Sequence, residues 1–248
     1  MLRTEGIVLS EMRFKETSKI LNIYTKDFGK ISVMARGAYR PKSQLIATTQ
    51  PFSHNEYLLH KGRNFYYLNQ GSVIEPFYDI RKKVERFLYG SYILELVDKS
   101  TPEAEENERI FLLLLKGLEV LSKLDEGFLK FTYAFGLKYI SFLGYRPYID
   151  KCVICNEIPF GKFKFSHIEG GIICRNCFDQ DLNAKSMTSD MYKDMQEILY
   201  TPLDDLDKLD IKESNLKRLQ NILEEYILYS IDRKSFNSLK LIRSIEYK

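Results

Sequence analysis

Residues 18–35 read Ser-Lys-Ile-Leu-Asn-Ile-Tyr-Thr-Lys-Asp-Phe-Gly-Lys-Ile-Ser-Val-Met-Ala. From Ser18 to Thr25, Ile20, Asn22 and Tyr24 alternate with Leu21, Ile23 and Thr25, so two sets of side chains occupy opposite faces of one strand. Asp27-Phe28-Gly29-Lys30 is turn chemistry, and Ile31–Ala35 resumes the strand pattern. Outward from this pair, Thr4–Ser10 is short and β-branched. Phe52–Leu59 and Phe65–Ile74 are two further strands, joined by a turn at Lys61-Gly62-Arg63-Asn64. Five short strands in about 75 residues fit a small antiparallel barrel such as an OB-fold. An SH3-like barrel fits the same periodicity.

Past Glu75-Pro76-Phe77-Tyr78 the apolar spacing lengthens to three and four residues, as in Ile80, Val84, Phe87 and Leu88, and predicts a helix over Asp79–Lys99. Thr101 and Pro102, followed by Glu103, Glu105 and Glu106, predict a fresh helix start: a capping hydroxyl, a proline in the first turn, then acids at the positive end of the dipole. Asn107–Lys123 is expected as a buried central helix, and Phe128–Phe142 as a third, ended by Gly144 and Pro147. Helices resume at about Ser189–Tyr200, Asn215–Tyr229 and Ser235–Arg243. The expected fold class is therefore α+β. An N-terminal barrel (residues 1–80) precedes a helical domain (81–248), which a cysteine module interrupts at 150–180.

Composition is that of a globular protein, with 44% hydrophobic and 29% charged residues in 248. The longest strongly apolar run, Ile110–Leu115, is far short of the ~20 residues that cross a bilayer. The opening Met1–Gly6 has no apolar signal core. A cytoplasmic protein without a membrane partner is expected. Charge is uneven: residues 1–80 hold 11 Lys/Arg against 7 Asp/Glu, whereas residues 181–248 hold 11 against 13. A positive field at the N-terminal end favours a polyanionic partner, although an excess of this size also occurs by ordinary scatter.

The four cysteines are Cys152, Cys155, Cys174 and Cys177. Two residues between the members of each pair let both thiols point into one tight turn. Two such turns supply the tetrahedral thiolate set of a closed structural zinc site, and the spacing is one that reads as zinc from sequence. Gly170-Gly171 would let a hairpin deliver Cys174, and Phe163 and Phe165 would give the module a small core. Four filled positions leave none for water or substrate, so one structural Zn2+ is expected rather than a catalytic one. His167 is surplus to a complete site.

Signs of catalysis are missing. The chain has no phosphate-binding Gly-rich loop, no dinucleotide fingerprint, no nucleophile elbow and no His-Glu-x-x-His. Its three histidines are His54, His60 and His167. His54 and His60 face the same side of a predicted strand, and strand polarity explains them as well as function does. Asp204-Asp205-Leu206-Asp207 follows Thr201-Pro202 and reads as a capped turn or solvated loop. No catalytic residue is assigned, and an enzyme is not expected.

Between the third and fourth strands lies Ala35-Arg36-Gly37-Ala38-Tyr39-Arg40-Pro41-Lys42-Ser43. Small residues let a phosphate backbone approach, Arg36, Arg40 and Lys42 neutralise it, and Tyr39 offers a ring for an unpaired base. A solvated basic loop fits the same residues.

Several segments together resemble the bacterial recombination mediator family RecO. They are Thr4-Glu5-Gly6-Ile7-Val8-Leu9, Glu16-Thr17-Ser18-Lys19-Ile20-Leu21, Tyr24-Thr25 with Gly29-Lys30, Ala35-Arg36-Gly37-Ala38, Pro41-Lys42-Ser43 and Gln50-Pro51-Phe52. The four-cysteine insert with Gly170-Gly171, and Lys234 with Ser238-Leu239, continue the match to the end of the chain. The resemblance implies an OB-fold, a helical domain and a zinc module. It also implies a non-catalytic DNA repair and recombination protein that binds single- and double-stranded DNA and anneals complementary strands. With RecR, such a protein would help load RecA on DNA coated by single-strand-binding protein, whose C-terminal tail is a further expected partner. The family's DNA-contacting surface maps onto Arg36, Arg40 and Lys42, and Tyr39 joins them from the stacking chemistry alone. The alternative expectation is a zinc-stabilised protein–protein adaptor without nucleic-acid binding.

Overall fold

The computed structural model describes residues 1–246. These form two compact units, one of residues 1–124 with the C-terminal helix from Phe236, the other of Asp125–Ser235. Regular structure changes from strand to helix between Glu75 and Tyr78. Compactness follows a different line, because the first helices are grouped with the barrel.

In the first unit, β1 (Leu2–Phe14), β2 (Ser18–Thr25), β3 (Gly29–Ala35), β4 (His54–Lys61) and β5 (Tyr66–Glu75) form a closed barrel in the order β1-β2-β3-β5-β4. Neighbours are antiparallel except β3 and β5, which meet in parallel at Val33–Tyr66 and Met34–Tyr67. This is the connectivity of an OB-fold and excludes the SH3-like alternative. Alternation decides the interior: Leu21, Ile23, Ile31, Val33, Tyr57 and Leu59 point inward and are buried. Thr25, also inward, accepts from the Phe28 amide and donates to the Gly29 carbonyl, closing the β2–β3 turn.

The outward set is used as well. Asn22 donates to Asp98 Oδ1 at 2.8 Å, and Lys30 Nζ to the Asp98 carbonyl at 2.6 Å. Asp98 lies on α2 (Val84–Ser100), which follows the short α1 (Tyr78–Lys82), so one buried helix residue meets the polar outer face of β2 through its carboxylate and that of β3 through its backbone carbonyl. Then comes α3 (Glu108–Lys123), with Ile110, Phe111, Leu114, Leu118 and Leu121 on its buried face. The helix start expected at Thr101 is not there. Thr101 is extended and ends α2, its hydroxyl and amide both donating to the Val97 carbonyl. Residues 102–106 instead run beside the barrel, where the Ala104 amide donates to the Lys30 carbonyl at 2.8 Å. The true cap is Asn107, whose side chain accepts from Ile110. The C-terminal α7 (Asn237–Glu246) belongs to this unit too, and the Glu95 carboxylate receives its first amides, from Asn237 and Ser238. A negative charge there complements the helix dipole.

The second unit begins with α4 (Phe128–Phe142), on which Phe131, Phe135 and Tyr139 form a ring ladder. A small sheet of β6 (Phe163–Ser166), β7 (Gly171–Cys174) and β8 (Lys185–Met187) follows in the order β7-β6-β8. Then come α5 (Ser189–Tyr200) and α6 (Glu213–Ser230). The third strand of that sheet is too short to show in the sequence pattern. Phe165 meets the Tyr226 ring edge-on at 5.1 Å and Phe163 meets Tyr192 at 5.2 Å, so the sheet packs on α6 and α5. The acidic run forms a two-turn 3-10 segment, Leu203–Lys208, anchored by buried Leu203 and Leu206 with its aspartates turned outward. No helix among the described residues is long and apolar enough to cross a membrane.

Candidate functional site

Two groups of residues stand out, one at an end of the barrel and one in the small sheet. Strand direction builds the first. β1 ends where β2 begins, β2 and β3 are antiparallel with Lys19 opposite Ala35, and β5 starts beside the end of β3. The turn after β1, the loop after β3 and the turn before β5 therefore share one end of the barrel.

Those connections enclose a cleft of ≈ 520 Å³. Arg36 and Arg40 line it, together with Lys15 and Arg63. Sequence reasoning had missed the last two, because each is a lone cation in its own turn and only the barrel brings the turns together. Aromatic rings complete the walls: Phe14, Phe65 and Tyr67, with the Arg36 guanidinium 4.7 Å above the Tyr67 ring. Lys42, with a left-handed backbone (φ 65°), is exposed on the same loop outside the cleft lining. Tyr39 is placed differently from its neighbours. Lys19 Nζ lies 4.7 Å from its ring and the Arg13 guanidinium 5.6 Å, while its amide donates to the Thr17 carbonyl. The ring thus already meets two cations and braces the loop against the β1–β2 turn.

Lys19 itself is buried and paired with Glu11. Lys15, Arg36, Arg40, Lys42 and Arg63 differ: all are exposed, and none has a carboxylate partner among the described residues. A concentration of unneutralised cations with ring faces between them is the chemistry that holds a phosphate chain with unpaired bases.

The second group is the cysteine cluster. Cys152 and Cys155 lie on a loop pinned to the sheet, where the Val153 amide donates to the Ile172 carbonyl and Cys152 bonds Glu157 and Asn156 across its own turn. Asn156 takes the left-handed conformation that this turn needs (φ 63°). Cys174 ends β7, and Cys177 follows in the short 3-10 helix Arg175–Gln180. The four Sγ atoms lie within 4.8 Å of one another, with Cys155–Cys174 at 3.6 Å and Cys174–Cys177 at 3.7 Å. A tetrahedral zinc with bonds of about 2.3 Å separates its sulfurs by about 3.8 Å, whereas a disulfide needs about 2.05 Å. The donor set therefore fits a four-thiolate metal ion and not a pair of disulfides. Burial raises the Cys152 thiol, but hydrogen bonds from the amides of Cys155, Cys174 and Ile154 outweigh it and hold the group below the usual thiol range. His167 is elsewhere: its Nε2 meets the Ile222 carbonyl at 3.1 Å. His54 is buried against Phe111 and paired with Glu5, and His60 is exposed, so these two form no site.

Gly171 is indispensable to this arrangement. A Cβ there would stand 2.3 Å from the Tyr148 carbonyl, which accepts from Ile172 and ties the first cysteine loop to β7. Gly171→Ala is expected to destabilise the protein by about 1–3 kcal/mol, as overpacking does, and to weaken metal retention. Thermal melting with and without a chelator checks both effects.

Comparisons with known proteins agree with this architecture. A family described as Recombination protein O N terminal matches residues 1–77, and one described as Recombination protein O C terminal matches residues 81–240. The DNA repair protein RecO of Alkaliphilus metalliredigens is 36% identical over 245 residues, covering 99% of this chain and 100% of that one. That of Acetivibrio thermocellus is 32% identical, with 99% and 97% covered, and that of Listeria innocua 36%, with 91% and 88% covered.

Proposed function

This chain belongs to the RecO family, and from that premise we propose that it is a non-catalytic DNA-binding mediator of repair and recombination in the cytoplasm. It binds single- and double-stranded DNA and anneals complementary strands. The barrel, residues 1–80, takes up the strand. The remainder, residues 81–248 with the cysteine module at 150–180, carries protein contacts: RecR, and the acidic C-terminal tail of single-strand-binding protein, toward loading RecA. The cysteines hold one structural Zn2+, which fastens the two loops of the module and supplies no open coordination position.

One observation supports the DNA reading above the others: Lys15, Arg36, Arg40 and Arg63 meet in one cleft with no carboxylate partner among the described residues. Neutralising phosphates there releases counterions, which drives binding, and lowers the repulsion that keeps two strands apart. Lys15, Arg36, Arg40 and Arg63 make the phosphate contacts in the cleft, and Lys42 adds positive charge from the same loop outside it. Tyr39 contributes through the loop it braces, and Tyr67 and Phe14 offer ring faces to bases.

Strand annealing tests the proposal. Two complementary oligonucleotides, one with a fluorophore and one with a quencher, are expected to pair faster in the presence of the protein, without nucleotide hydrolysis. Unaccelerated pairing at low salt would leave the adaptor reading in its place.

A further inference from the structure

The second unit has a cleft of its own. It measures ≈ 690 Å³ and lies where the end of α4, the β6–β7 turn and the end of α6 come together. Its walls include three tyrosines that remain open to solvent, Tyr145 (51% exposed), Tyr148 (40%) and Tyr229 (56%). Three cations share it: Arg146, Arg233 and Lys234. Arg146 is oriented by the Tyr200 ring, 5.2 Å from its guanidinium, and that ring is fixed through its hydroxyl on Asp150. The frame behind the cleft is rigid. Buried Tyr226 donates to the Tyr145 carbonyl at 3.0 Å, and the Tyr148 amide donates to the Gly170 carbonyl at 2.8 Å. Two acids, Glu169 and Asp232, also line it, so it is cationic by a small margin.

Three tyrosines of 40–56% exposure share this one lining. The sequence offers them with cations, not with an apolar floor: Ile168 and Leu228 are the aliphatic lining. Ring faces of this kind stack on bases, and the cations beside them meet the phosphates between those bases. An acidic peptide would also find the cations, but would leave the exposed tyrosine faces unmatched.

We infer that the Tyr145–Tyr148–Tyr229 cleft is a second single-strand binding site, separate from the barrel end. It takes unpaired bases on the tyrosine faces and their phosphates on Arg146, Arg233 and Lys234. The inference rests on the DNA-binding reading above and deepens it, since a protein that pairs two strands benefits from holding each of them.

The test uses the full chain and an oligothymidylate bearing iodouracil, with photocrosslinked peptides identified by mass spectrometry and affinity read by anisotropy. The variant Arg36→Ala/Arg40→Ala/Arg63→Ala removes the barrel cations. It is expected to keep residual binding, with crosslinks at Tyr145 or Tyr229. Adding Tyr145→Ala and Tyr229→Ala is expected to weaken that residual binding at least tenfold, the loss of about 1.4 kcal/mol or more that base stacking carries. Phenylalanine at both positions, which keeps the rings, is expected to restore it and also controls for folding. Crosslinks confined to barrel peptides, or equal affinity for the alanine and phenylalanine forms, would overturn the second site and leave the barrel reading intact. A fluorescent acidic peptide bound at this cleft in place of the strand would overturn it in favour of a protein partner. Failure of the unaltered protein to bind any strand would instead remove the DNA reading itself, and this site with it.

Discussion

Cys152→Ser is expected to abolish metal binding at the cysteine cluster and unfold the module that carries it. Cys152 is fully buried at the centre of the cluster, and its sulfur accepts the Cys174 amide at 3.3 Å. Phe163 and Phe165 hold the sheet on α5 and α6, but little besides the thiols holds the two cysteine loops together. β6 and β7 are four residues each, β8 is three, and the apolar contacts around the thiols are those of Ile173, Ala184, Val153 and Phe178. A core this small does not close its loops unaided, so metal binding and local folding are one event. Loss of a structural metal belongs among the substitutions that cost more than about 4 kcal/mol. Metal analysis is expected to fall from one zinc per chain to none, with a lower melting temperature and early proteolysis between residues 150 and 180. A metal-free protein with unchanged melting would refute the structural role.

Removing the barrel cations has the other large effect. Each single-strand phosphate contact contributes about 0.7 to the slope of log affinity against log salt. At 0.1 M salt that is about fivefold per contact, so Arg36→Ala/Arg40→Ala/Arg63→Ala is expected to weaken single-strand binding about 100-fold and to flatten the slope by about 2. Stability should hold, because the three side chains are exposed. The interaction surrendered is that of Arg36 with Tyr67, about 0.5–1 kcal/mol at an exposed site. Double-stranded probes are expected to lose affinity in parallel. An unchanged slope would move the phosphate contacts away from this end of the barrel.

Periodicity carried most of the fold. The alternation of Leu21, Ile23 and Thr25 against Ile20, Asn22 and Tyr24 located β2 to the residue, and the two cysteine pairs announced a cluster that the structure brings within bonding distance of one ion. What stayed hidden was non-local. Thr101 carries every mark of a helix cap, yet residues 102–106 are drawn along the barrel by the Lys30 carbonyl, and Asn107 caps instead. Arg63 and Lys15 look like solvated turn residues until the strand order places their turns beside Arg36. Tyr39 looked free to stack on a base, but Arg13 and Lys19 lie against its ring, and no linear pattern shows a contact between a loop and a neighbouring strand. The tyrosine cleft of the second unit is assembled from residues more than eighty positions apart, Tyr145 and Tyr229, and had no local signature at all.

The central claim is that the barrel end binds single-stranded DNA through unneutralised cations. Fluorescence anisotropy of a labelled single strand, titrated with the unaltered protein at 50 and 200 mM salt, tests it most directly. With Lys15, Arg36, Arg40 and Arg63 each engaging a phosphate, the fourfold rise in salt should weaken binding about 50-fold. Binding that does not respond to salt, or none at either concentration, would contradict it.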